Sequence, residues 1–495
     1  MLFKQLTSEN RTSKYEQQLT MTNIQKAFSP DSFREQAHQM VDLLADYLSA
    51  SQNRENQAIP FKSPEENLAF WEDNFAEGVN ENPADFFKKV IEKSTKLHNP
   101  RYMGHQVGVI APIAATTSML TALLNNGMAV YEMGLVSNPL EKIVTDLMAK
   151  RIGFDEKSGG ILTSGGTLAN LTALLAARAK YAPTDVWEEG NNEKLAVIVS
   201  EEAHYCIDRA ARIMGMGSEG IIKIPTNEAF QMRTELLEKY YQDAVDKGFQ
   251  VIAIIGSSCS TSTGSYDNLE KIGKFAQEKK LWFHVDGAHG GAVIFSEKYK
   301  HKVKGIELAD SVVIDWHKML LTPALVTALI FKDNDDSYQT FQQKAQYLWS
   351  NQTSQDWFNS GKRTFECTKL GMSVKVYSIL KTYGEALLAE HVDYLYDLGK
   401  QFGEMIEAHP DFELGVSPEC NIVCLRLKNK QDAEIQAIRQ QFLNNGKFYI
   451  VQTTLREGTY LRVSLMNPLT TIMDLNELLA EIKLSSDDLP TKNKA

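Results

Sequence analysis

From about residue 140 to about residue 330, the chain alternates short, continuously apolar runs with amphipathic helical segments. In chain order these are GGILTSGG followed by TLANLTALLAARAKY, KLAVIVSEEAH followed by YCIDRAARIMGM, and QVIAIIGSSC followed by NLEKIGKFAQEKK and LWFHVDGAHGG. Strands that are covered by helices on both faces are apolar throughout, without a polar side. The repeated order of strand and helix therefore predicts an α/β domain with a mostly parallel sheet.

The segments that flank this alternating region have patterns of their own. Residues 1–30 are polar, and we expect them to be poorly ordered. Residues 31–97 predict amphipathic helices that are separated by a proline-containing linker. Because helices so loosely connected bury little by themselves, we expect them to pack on the main domain or on another subunit. Residues 98–383 then form the large domain, and residues 384–495 a small C-terminal α+β domain with the strands NIVCLRL and TYLRVSLM.

Composition and charge argue against several classes of protein. A formal net charge of −11 disfavours non-specific binding to nucleic acid. The five cysteines form no CxxC pair, which fits a reducing compartment and no structural disulfide or zinc site. The apolar stretch 108–130 is interrupted by Pro112 and by polar side chains, so it predicts a buried or interface helix rather than a membrane span. The N-terminus has no apolar signal region, so we expect a cytoplasmic protein without a membrane partner.

Four polar groups fall where a strand gives way to a loop, which is the edge at which open α/β sheets bind ligands. The segment TSGGT at 163–167 follows a strand and opens a helix; His204, Asp286 and the pair His317–Lys318 follow later strands. Glycines allow a ligand to approach the backbone closely, and a helix N-terminus presents free N–H groups to an anion. TSGGT matches neither GxGxxG nor a Walker loop, so a dinucleotide or ATP site has little support.

Each of these groups also has an ordinary structural explanation when it is taken alone. TSGGT is then a glycine turn, His204 a hydrogen-bonded core histidine, and Lys318 a turn residue that points into water. Asp286 is harder to explain in this way. A carboxylate at the end of a strongly apolar strand is costly unless it meets a cation or a hydrogen-bond donor.

Taken together, the four groups match the requirements of pyridoxal 5′-phosphate. This cofactor needs an anion cradle for its phosphate, a flat side chain against its ring, a carboxylate at its pyridinium nitrogen and a lysine that forms a Schiff base. For that lysine to act as an amine its pKa has to fall, and we expect burial of Lys318 to lower it.

At this point a family resemblance becomes specific. The segments TSGGTLAN, SEEAHY, HVDGAHGG and DSVVIDWHK resemble those of the group II pyridoxal-phosphate-dependent amino-acid decarboxylases, which act on glutamate, cysteine sulfinate, aspartate, 2,4-diaminobutyrate or aromatic amino acids. The resemblance extends from about residue 30 to about residue 485 and includes the 32-residue spacing between Asp286 and Lys318. It implies the type I fold of aspartate aminotransferase for the large domain, and conversion of an L-amino acid to its amine and carbon dioxide.

The same resemblance implies a role for each matching residue. Lys318 would carry the cofactor, His204 would stack on its ring, and Asp286 would pair with its ring nitrogen, so these three are the expected catalytic residues. The other expected cofactor contacts are Ser164, Gly165 and Gly166 at the phosphate, Thr261 near the 3′ oxygen, Ala288 on the ring face opposite His204, and His317 at the phosphate or the substrate. No metal ligand is expected. Because subunits of this family exchange their amino-terminal helices and share active sites, the resemblance also implies a homodimer.

The substrate is indicated less clearly, because two branches of the family are represented. The segments MAVYEMGLVSNPLEKIV and GTYLRVSLMNP resemble the glutamate and cysteine-sulfinate branch, in which an arginine at the position of Arg462 meets a substrate carboxylate. RYMGHQVG is closer to the diaminobutyrate branch and would place His105 at the substrate. We therefore expect an acidic amino acid (glutamate, aspartate or cysteine sulfinate). The alternatives are 2,4-diaminobutyrate or an aromatic amino acid, another lyase or aminotransferase reaction, and a purely structural role for Arg462.

Two departures from the family pattern stand out. Trp316 occupies a position that is proline in many relatives, which we expect to change local shape more than chemistry. Relatives also carry a tyrosine on a mobile loop that protonates the substrate carbon. Here the corresponding loop offers Tyr347, whereas its spacing from SGKR points to Asn351. If that donor is missing, His204 or a partner-subunit residue would have to protonate the carbon, and an aldehyde-forming side reaction becomes more plausible. A binding protein on a degenerate enzyme fold is disfavoured because Lys318, Asp286 and His204 occur together.

Overall fold

The computed structural model describes residues 22–79, 81–341 and 356–489. These residues divide into two compact units. One, here called the N-terminal unit, comprises residues 22–50 and 63–94, and the other, the main unit, comprises residues 51–62 and 95–489. Among the described residues, no helix has both the length and the apolarity that crossing a bilayer requires.

The N-terminal unit is helical and leaves apolar side chains uncovered. Its helices are α1 (Asn23–Ala27), α2 (Pro30–Gln52, which ends in the main unit), α3 (Pro64–Ala76) and α4 (Pro83–Lys93). Ser63 and Asn82 cap α3 and α4, and each of these helices begins with a proline, whose missing N–H has no partner to lose at that position. Neither α3 nor α4 has a buried residue, and exposed apolar side chains include Phe33, Leu68 and Phe75.

A seven-stranded sheet forms the centre of the main unit. Its strands are β1 (Gly159–Thr163), β2 (Leu195–Ser200), β3 (Ile221–Ile224), β4 (Gln250–Ser257), β5 (Trp282–Asp286), β6 (Ser311–Asp315) and β7 (Thr327–Phe331). Their order in the sheet is β1-β7-β6-β5-β4-β2-β3, and only β7 runs against its neighbours. Every residue of β1, β2, β6 and β7 is buried, because helices cover both faces. The predicted α/β class with a mostly parallel sheet is confirmed.

Helices form a layer on each face of this sheet. They are α5 (Pro112–Leu124), α6 (Ser137–Ile152), α7 (Gly166–Tyr181), α8 (Val186–Glu189), α9 (Tyr205–Ile213), α10 (Leu237–Asp246), α11 (Leu269–Lys279) and the first part of α12 (Ser373–Ala408). The apolar residues of α7 and α9 share one core with the sheet, and those of α6, α10, α11 and α12 share the other.

A smaller, antiparallel sheet follows in the chain. Its strands β8 (Phe412–Leu414), β9 (Ile422–Leu427), β10 (Val451–Leu455) and β11 (Gly458–Ser464) take the order β10-β11-β9-β8, and α13 (Asp432–Asn445) and α14 (Ile472–Asp487) pack on them around a third core. Within α12, Gly384 has φ 70° and ψ −176°, and this break coincides with the position at which the sequence analysis divides the large domain from the small one.

Candidate active site

A cavity of about 440 Å³ opens where the loops after β1, β2, β4, β5 and β6 meet, at the carboxyl ends of these strands. All nine of the side chains and glycines expected to contact the cofactor line it: Ser164, Gly165, Gly166, His204, Thr261, Asp286, Ala288, His317 and Lys318. The fold therefore brings together residues that are more than 150 positions apart in the sequence.

The first wall of the cavity is the start of α7. β1 ends at Thr163, and Gly165 takes φ 119°, a conformation that side chains disfavour, so that the chain can turn directly into the helix. Gly166 lies beside Asp315, because a Cβ at this position would be 3.4 Å from Oδ1 of that carboxylate. Ser164 donates from Oγ to Oε1 of Glu366 at 2.9 Å. Free N–H groups at the start of a sixteen-residue helix suit a phosphate.

His204 lies in the second wall, at the N-cap of α9. Its Nδ1 accepts a hydrogen bond from the backbone N–H of Cys206 at 3.3 Å, so the proton of the neutral ring is on Nε2. Burial lowers the pKa of His204, although the carboxylate of Asp286 opposes this effect. The ring is therefore neutral and held in a fixed orientation, which suits stacking on a flat ligand.

Asp286 ends β5 and is held by donors on both oxygens. Oδ1 accepts from the backbone N–H of Ala288 at 3.2 Å, and Oδ2 accepts from Nδ2 of Asn170 at 3.4 Å. Oδ1 of Asn170 in turn contacts Nε2 of His284 at 2.7 Å, which fixes the amide. Burial raises the pKa of Asp286, and the nearby Lys318 opposes that rise. A carboxylate in this position can hold a proton on a cationic ring nitrogen.

Lys318 follows β6, and its side chain is 20% exposed within the cavity. Nζ lies 3.0 Å from Oδ2 of Asp315, whose other oxygen accepts from the hydroxyl of Thr327. The expectation that the pKa of Lys318 is lowered is wrong. Burial does lower the pKa of Lys318, but the charges of Asp315 and Asp286 outweigh burial, and the net direction is upward.

The three remaining predicted contacts occupy different parts of the cavity. His317 has Nδ1 2.9 Å from the carbonyl oxygen of Val326, and its Nε2 lies 3.7 Å from Oδ2 of Asp315. The carbonyl oxygen of Ala288 accepts from the backbone N–H of Asp315 at 3.1 Å, which joins the loop after β5 to the end of β6. Thr261 is exposed. The roles that the resemblance implies for these residues stay predictions.

Several residues of the cavity were not predicted from the sequence, among them Asp315, Asn170 and Arg209. Asp315 ends the apolar run SVVID just as Asp286 ends WFHVD, so the same argument about a carboxylate after an apolar strand would have found it. Asn170 lies one turn into α7, and Arg209 stacks on the Tyr205 ring at 4.9 Å; neither has a signal in the sequence alone.

The two residues expected at the substrate, His105 and Arg462, are not part of this cavity wall. Nε2 of His105 lies 3.0 Å from the hydroxyl of Tyr449. Burial is the largest cause that lowers the pKa of His105 and of His289, and the positive charge of Arg462 acts in the same direction on both. The segment that carries His105 also passes beside the lysine loop, because a Cβ on Gly108 would lie only 2.1 Å from the carbonyl oxygen of Lys318.

Arg462 itself is buried on β11. Its Nε and Nη2 have no hydrogen-bond partner among the described residues, and burial lowers its pKa. These two nitrogens form one edge of the guanidinium, the edge that binds a carboxylate in a bidentate manner. A buried cation without a counter-charge is costly, so this edge is suited to a charged ligand.

The departures noted in the sequence fall on different parts of the structure. Trp316 is fully buried and donates from Nε1 to Sδ of Met148 at 3.0 Å, so it fills the core beneath the lysine loop. Tyr347 and Asn351 lie outside the described residues.

The donor set fits pyridoxal phosphate. An amine, a half-buried carboxylate held by two donors, a neutral imidazole, a small side chain at Ala288 and the N-terminus of α7 all face one cavity. The amine suits the aldehyde of this cofactor, and the carboxylate suits its ring nitrogen. The imidazole and the small side chain suit the two faces of its ring, and the helix N-terminus suits its phosphate.

Comparison with known proteins agrees with this site. The pyridoxal-dependent decarboxylase conserved domain matches residues 62–428. The chain is 28% identical over 456 residues to an aspartate 1-decarboxylase from Aliivibrio fischeri, with 81% of this chain and 82% of the relative covered. It is 24% identical over 458 residues to an L-2,4-diaminobutyrate decarboxylase from Acinetobacter baumannii, with 88% of each covered. The crystal structure of mouse CSAD has a TM-score of 0.86 at 24% identity, over 93% of this chain and 100% of that chain, so the fold is shared.

Proposed function

The chain belongs to the pyridoxal-dependent decarboxylase family, and on that premise we propose that its substrate is an acidic amino acid: aspartate, glutamate or cysteine sulfinate. The products are the corresponding amine and carbon dioxide. The observation that carries the choice of substrate is the buried, unpartnered edge of Arg462.

Bound pyridoxal phosphate supplies a ring that takes up the electron pair left when carbon dioxide departs. The residues of this chain provide the setting for that chemistry. Lys318 would provide the amine that holds the cofactor, Asp286 would keep a proton on its ring nitrogen, and His204 would stack on its ring. Ser164 and the first N–H groups of α7 would bind its phosphate.

Arg462 distinguishes an acidic substrate from a basic one. A side-chain carboxylate can pair with both Nε and Nη2, and it removes the cost of a buried, uncompensated guanidinium. A second ammonium group, as in 2,4-diaminobutyrate, would be repelled by the same charge. Two contacts support a position near the reacting atoms. Arg462 pairs across β11 and β9 with Cys424, whose Sγ lies 3.3 Å from the carbonyl oxygen of Ser262, next to Thr261 of the cavity. The His105 segment also passes beside the lysine loop.

The diaminobutyrate alternative rests on the segment RYMGHQVG and on the relative from Acinetobacter baumannii. His105 could face such a substrate as a neutral ring, since burial lowers its pKa. Among the described residues, the acidic side chains that line the cavity are Asp286 and Asp315, and both have partners. The described part of the cavity therefore offers no free carboxylate for a second ammonium group, which favours the acidic substrate.

We also propose that the protein works in the cytoplasm as a homodimer whose two copies share their active sites. The exposed apolar side chains support this proposal. In the N-terminal unit they include Phe33, Leu68 and Phe75, and in the main unit α5 exposes Leu120 and Leu123. Apolar patches of this kind are covered in most proteins, and a second copy of the chain would cover them.

A panel of substrates tests the proposal. Release of carbon dioxide is measured with aspartate, glutamate, cysteine sulfinate, 2,4-diaminobutyrate and an aromatic amino acid, without a keto-acid co-substrate. We expect the highest kcat/KM for one of the three acidic amino acids. A higher value for 2,4-diaminobutyrate or the aromatic amino acid would overturn the substrate assignment, and turnover that requires a keto acid would indicate an aminotransferase.

A further inference from the structure

Three buried side chains with metal-binding atoms meet behind one wall of the cavity. The Sγ atoms of Cys259 and Cys420 and one ring nitrogen of His289 all lie within 4.8 Å of one another. All three residues are buried, and both cysteines are free thiols. None of the three has been given a role in the decarboxylation described above.

The cluster joins the large sheet to the small one. Cys259 follows β4 and His289 follows β5, and these two strands are parallel neighbours. Cys420 comes from the segment that enters β9 of the small sheet. A Cβ on Gly264, which has φ 79°, would lie 2.4 Å from Sγ of Cys420, so a glycine is needed for the thiol to come this close to the loop after β4.

The hydrogen bonds of His289 leave one of its ring nitrogens available to a metal. Nδ2 of Asn421 donates to the carbonyl oxygen of Leu465 at 2.8 Å, so Oδ1 of Asn421 faces Nε2 of His289, also at 2.8 Å. Nε2 therefore carries the proton and donates it to the amide oxygen. Nδ1 is left with its lone pair, and it has no partner among the described residues although it is buried. A hydrogen bond from the far ring nitrogen to an amide or carboxylate oxygen is the usual support of a histidine ligand.

The donor set selects the class of metal. Two thiolates and one imidazole suit a borderline or soft cation such as Zn²⁺, and tetrahedral Co²⁺ binds the same ligands. Three protein ligands leave a fourth position open, as in sites that also bind water or a small ligand. Cys259 and His289 both line the cavity, so the cation can enter from the cavity, and a water or small ligand at the fourth coordination position can exchange through it.

We propose that Cys259, His289 and Cys420 form a binding site for one thiophilic divalent cation, which opens onto the cofactor cavity. Binding replaces two S–H bonds by two bonds between sulfur and the metal and releases two protons to solvent, with no change of oxidation state. Because the ligands come from both sheets, the bound cation ties the loops after β4 and β5 to the entry of β9. The cation binds the folded chain more tightly than the unfolded chain, so binding raises the free energy of unfolding.

Cobalt titration of the full-length, cofactor-loaded protein tests the site. Co²⁺ in a tetrahedral thiolate site gives intense ligand-field absorption at wavelengths longer than those absorbed by the cofactor. We expect one Co²⁺ per chain with this spectrum, displaced by Zn²⁺, and two protons released per cation in weakly buffered solution. Cys420→Ala should weaken binding at least about tenfold, which corresponds to the loss of about 1.4 kcal/mol or more.

Matched variants make the result interpretable. Cys424→Ala removes a buried thiol of β9 outside the cluster, and Cys367→Ala removes an exposed thiol; both should bind Co²⁺ as the unmodified chain does. Cofactor absorbance and the thermal midpoint report whether each variant is folded. If Cys420→Ala does not fold, Cys420→Ser and Cys259→Ser provide the same comparison, and Zn²⁺ should raise the thermal midpoint of the unmodified chain but not of these variants. Unchanged Co²⁺ affinity in folded Cys420 variants, or loss of binding in Cys424→Ala or Cys367→Ala, would overturn the proposal.

Discussion

Replacing Arg462 by methionine tests the assignment of the substrate carboxylate. Nε and Nη2 are buried without a partner among the described residues, so a bound carboxylate would receive two charge-assisted hydrogen bonds. Hydrogen bonds to charged groups contribute about 1.5–3 kcal/mol each, so two of them give roughly 3–6 kcal/mol. At about 1.4 kcal/mol per factor of ten, kcat/KM for the acidic substrate should fall about 10²- to 10⁴-fold in Arg462→Met.

The assay is the initial rate of carbon-dioxide release, with cofactor absorbance measured on the same samples. Arg426→Met is the matched control, because Arg426 lies on the neighbouring strand β9 and already has a carboxylate partner, Glu413, at 2.5 Å. We expect this control to retain kcat/KM within about threefold, since Arg426 does not line the cavity and its guanidinium already has a carboxylate partner.

Stability separates the substrate role of Arg462 from a structural one. A buried guanidinium without a partner costs free energy in the folded state, so Arg462→Met should keep or raise the thermal midpoint. If the midpoint instead falls while kcat/KM for the acidic substrate is unchanged, Arg462 is a structural residue of the small sheet, and the reasoning about the substrate is refuted.

Three further predictions concern charges in the protein. Asp315→Asn should lower the pKa of Lys318, because the carboxylate that lies 3.0 Å from Nζ raises it. Amine modification at Lys318 of the cofactor-free protein should therefore occur at lower pH in this variant. An unchanged dependence of the modification on pH would contradict the prediction. Burial lowers the pKa of His391 to about 4, below the value of about 6.5 in the unfolded chain. The fold therefore loses stability as pH falls from about 6.5 to about 4, because the unfolded chain binds the proton first. His391→Leu should remove about one proton from the pH dependence of the thermal midpoint in this range. Nζ of Lys369 lies 2.6 Å from both Oε1 of Glu141 and the carbonyl oxygen of Leu162, so Lys369→Met should lower the free energy of unfolding by about 3–5 kcal/mol. Adding Glu141→Met should restore much of that stability in thermal unfolding. Equal midpoints for the single and double variants would be inconsistent with a buried ion pair.

The fold could be predicted from the sequence because its strands are unusually apolar. β2 is apolar as far as its last residue, and β6 has the apolar segment VVI between Ser311 and Asp315, so their burial between two helical layers follows from composition and order. The rule that ligands bind at the carboxyl ends of strands predicts that Lys318, Asp286 and His204 lie together, and all three line one cavity, while their roles stay predictions.

The charge state of Lys318 could not be predicted in this way. Burial lowers the pKa of a lysine, but the net direction depends on Asp315, which the sequence places only three residues away, and on Asp286, 32 residues away. Which of these carboxylates points at Nζ is decided by the twist of β5 and β6 and by the turn after β6.

Contacts between the two sheets were also beyond sequence reasoning. Cys259 and Cys420 have no regular spacing, and rules for metal sites depend on ligands that are close in sequence. Nε and Nη2 of Arg462 have no hydrogen-bond partner among the described residues, and the sequence could not predict this because it does not show which side chains surround the guanidinium.

Borohydride reduction of the purified protein, followed by mapping of the modified peptide, shows whether Lys318 holds the cofactor. We expect one phosphopyridoxyl group per chain, attached to Nζ of Lys318, and no such group in Lys318→Ala. Attachment to a different lysine, or no attachment after pyridoxal phosphate has been added, would contradict the assignment of Lys318 and with it the geometry of the site.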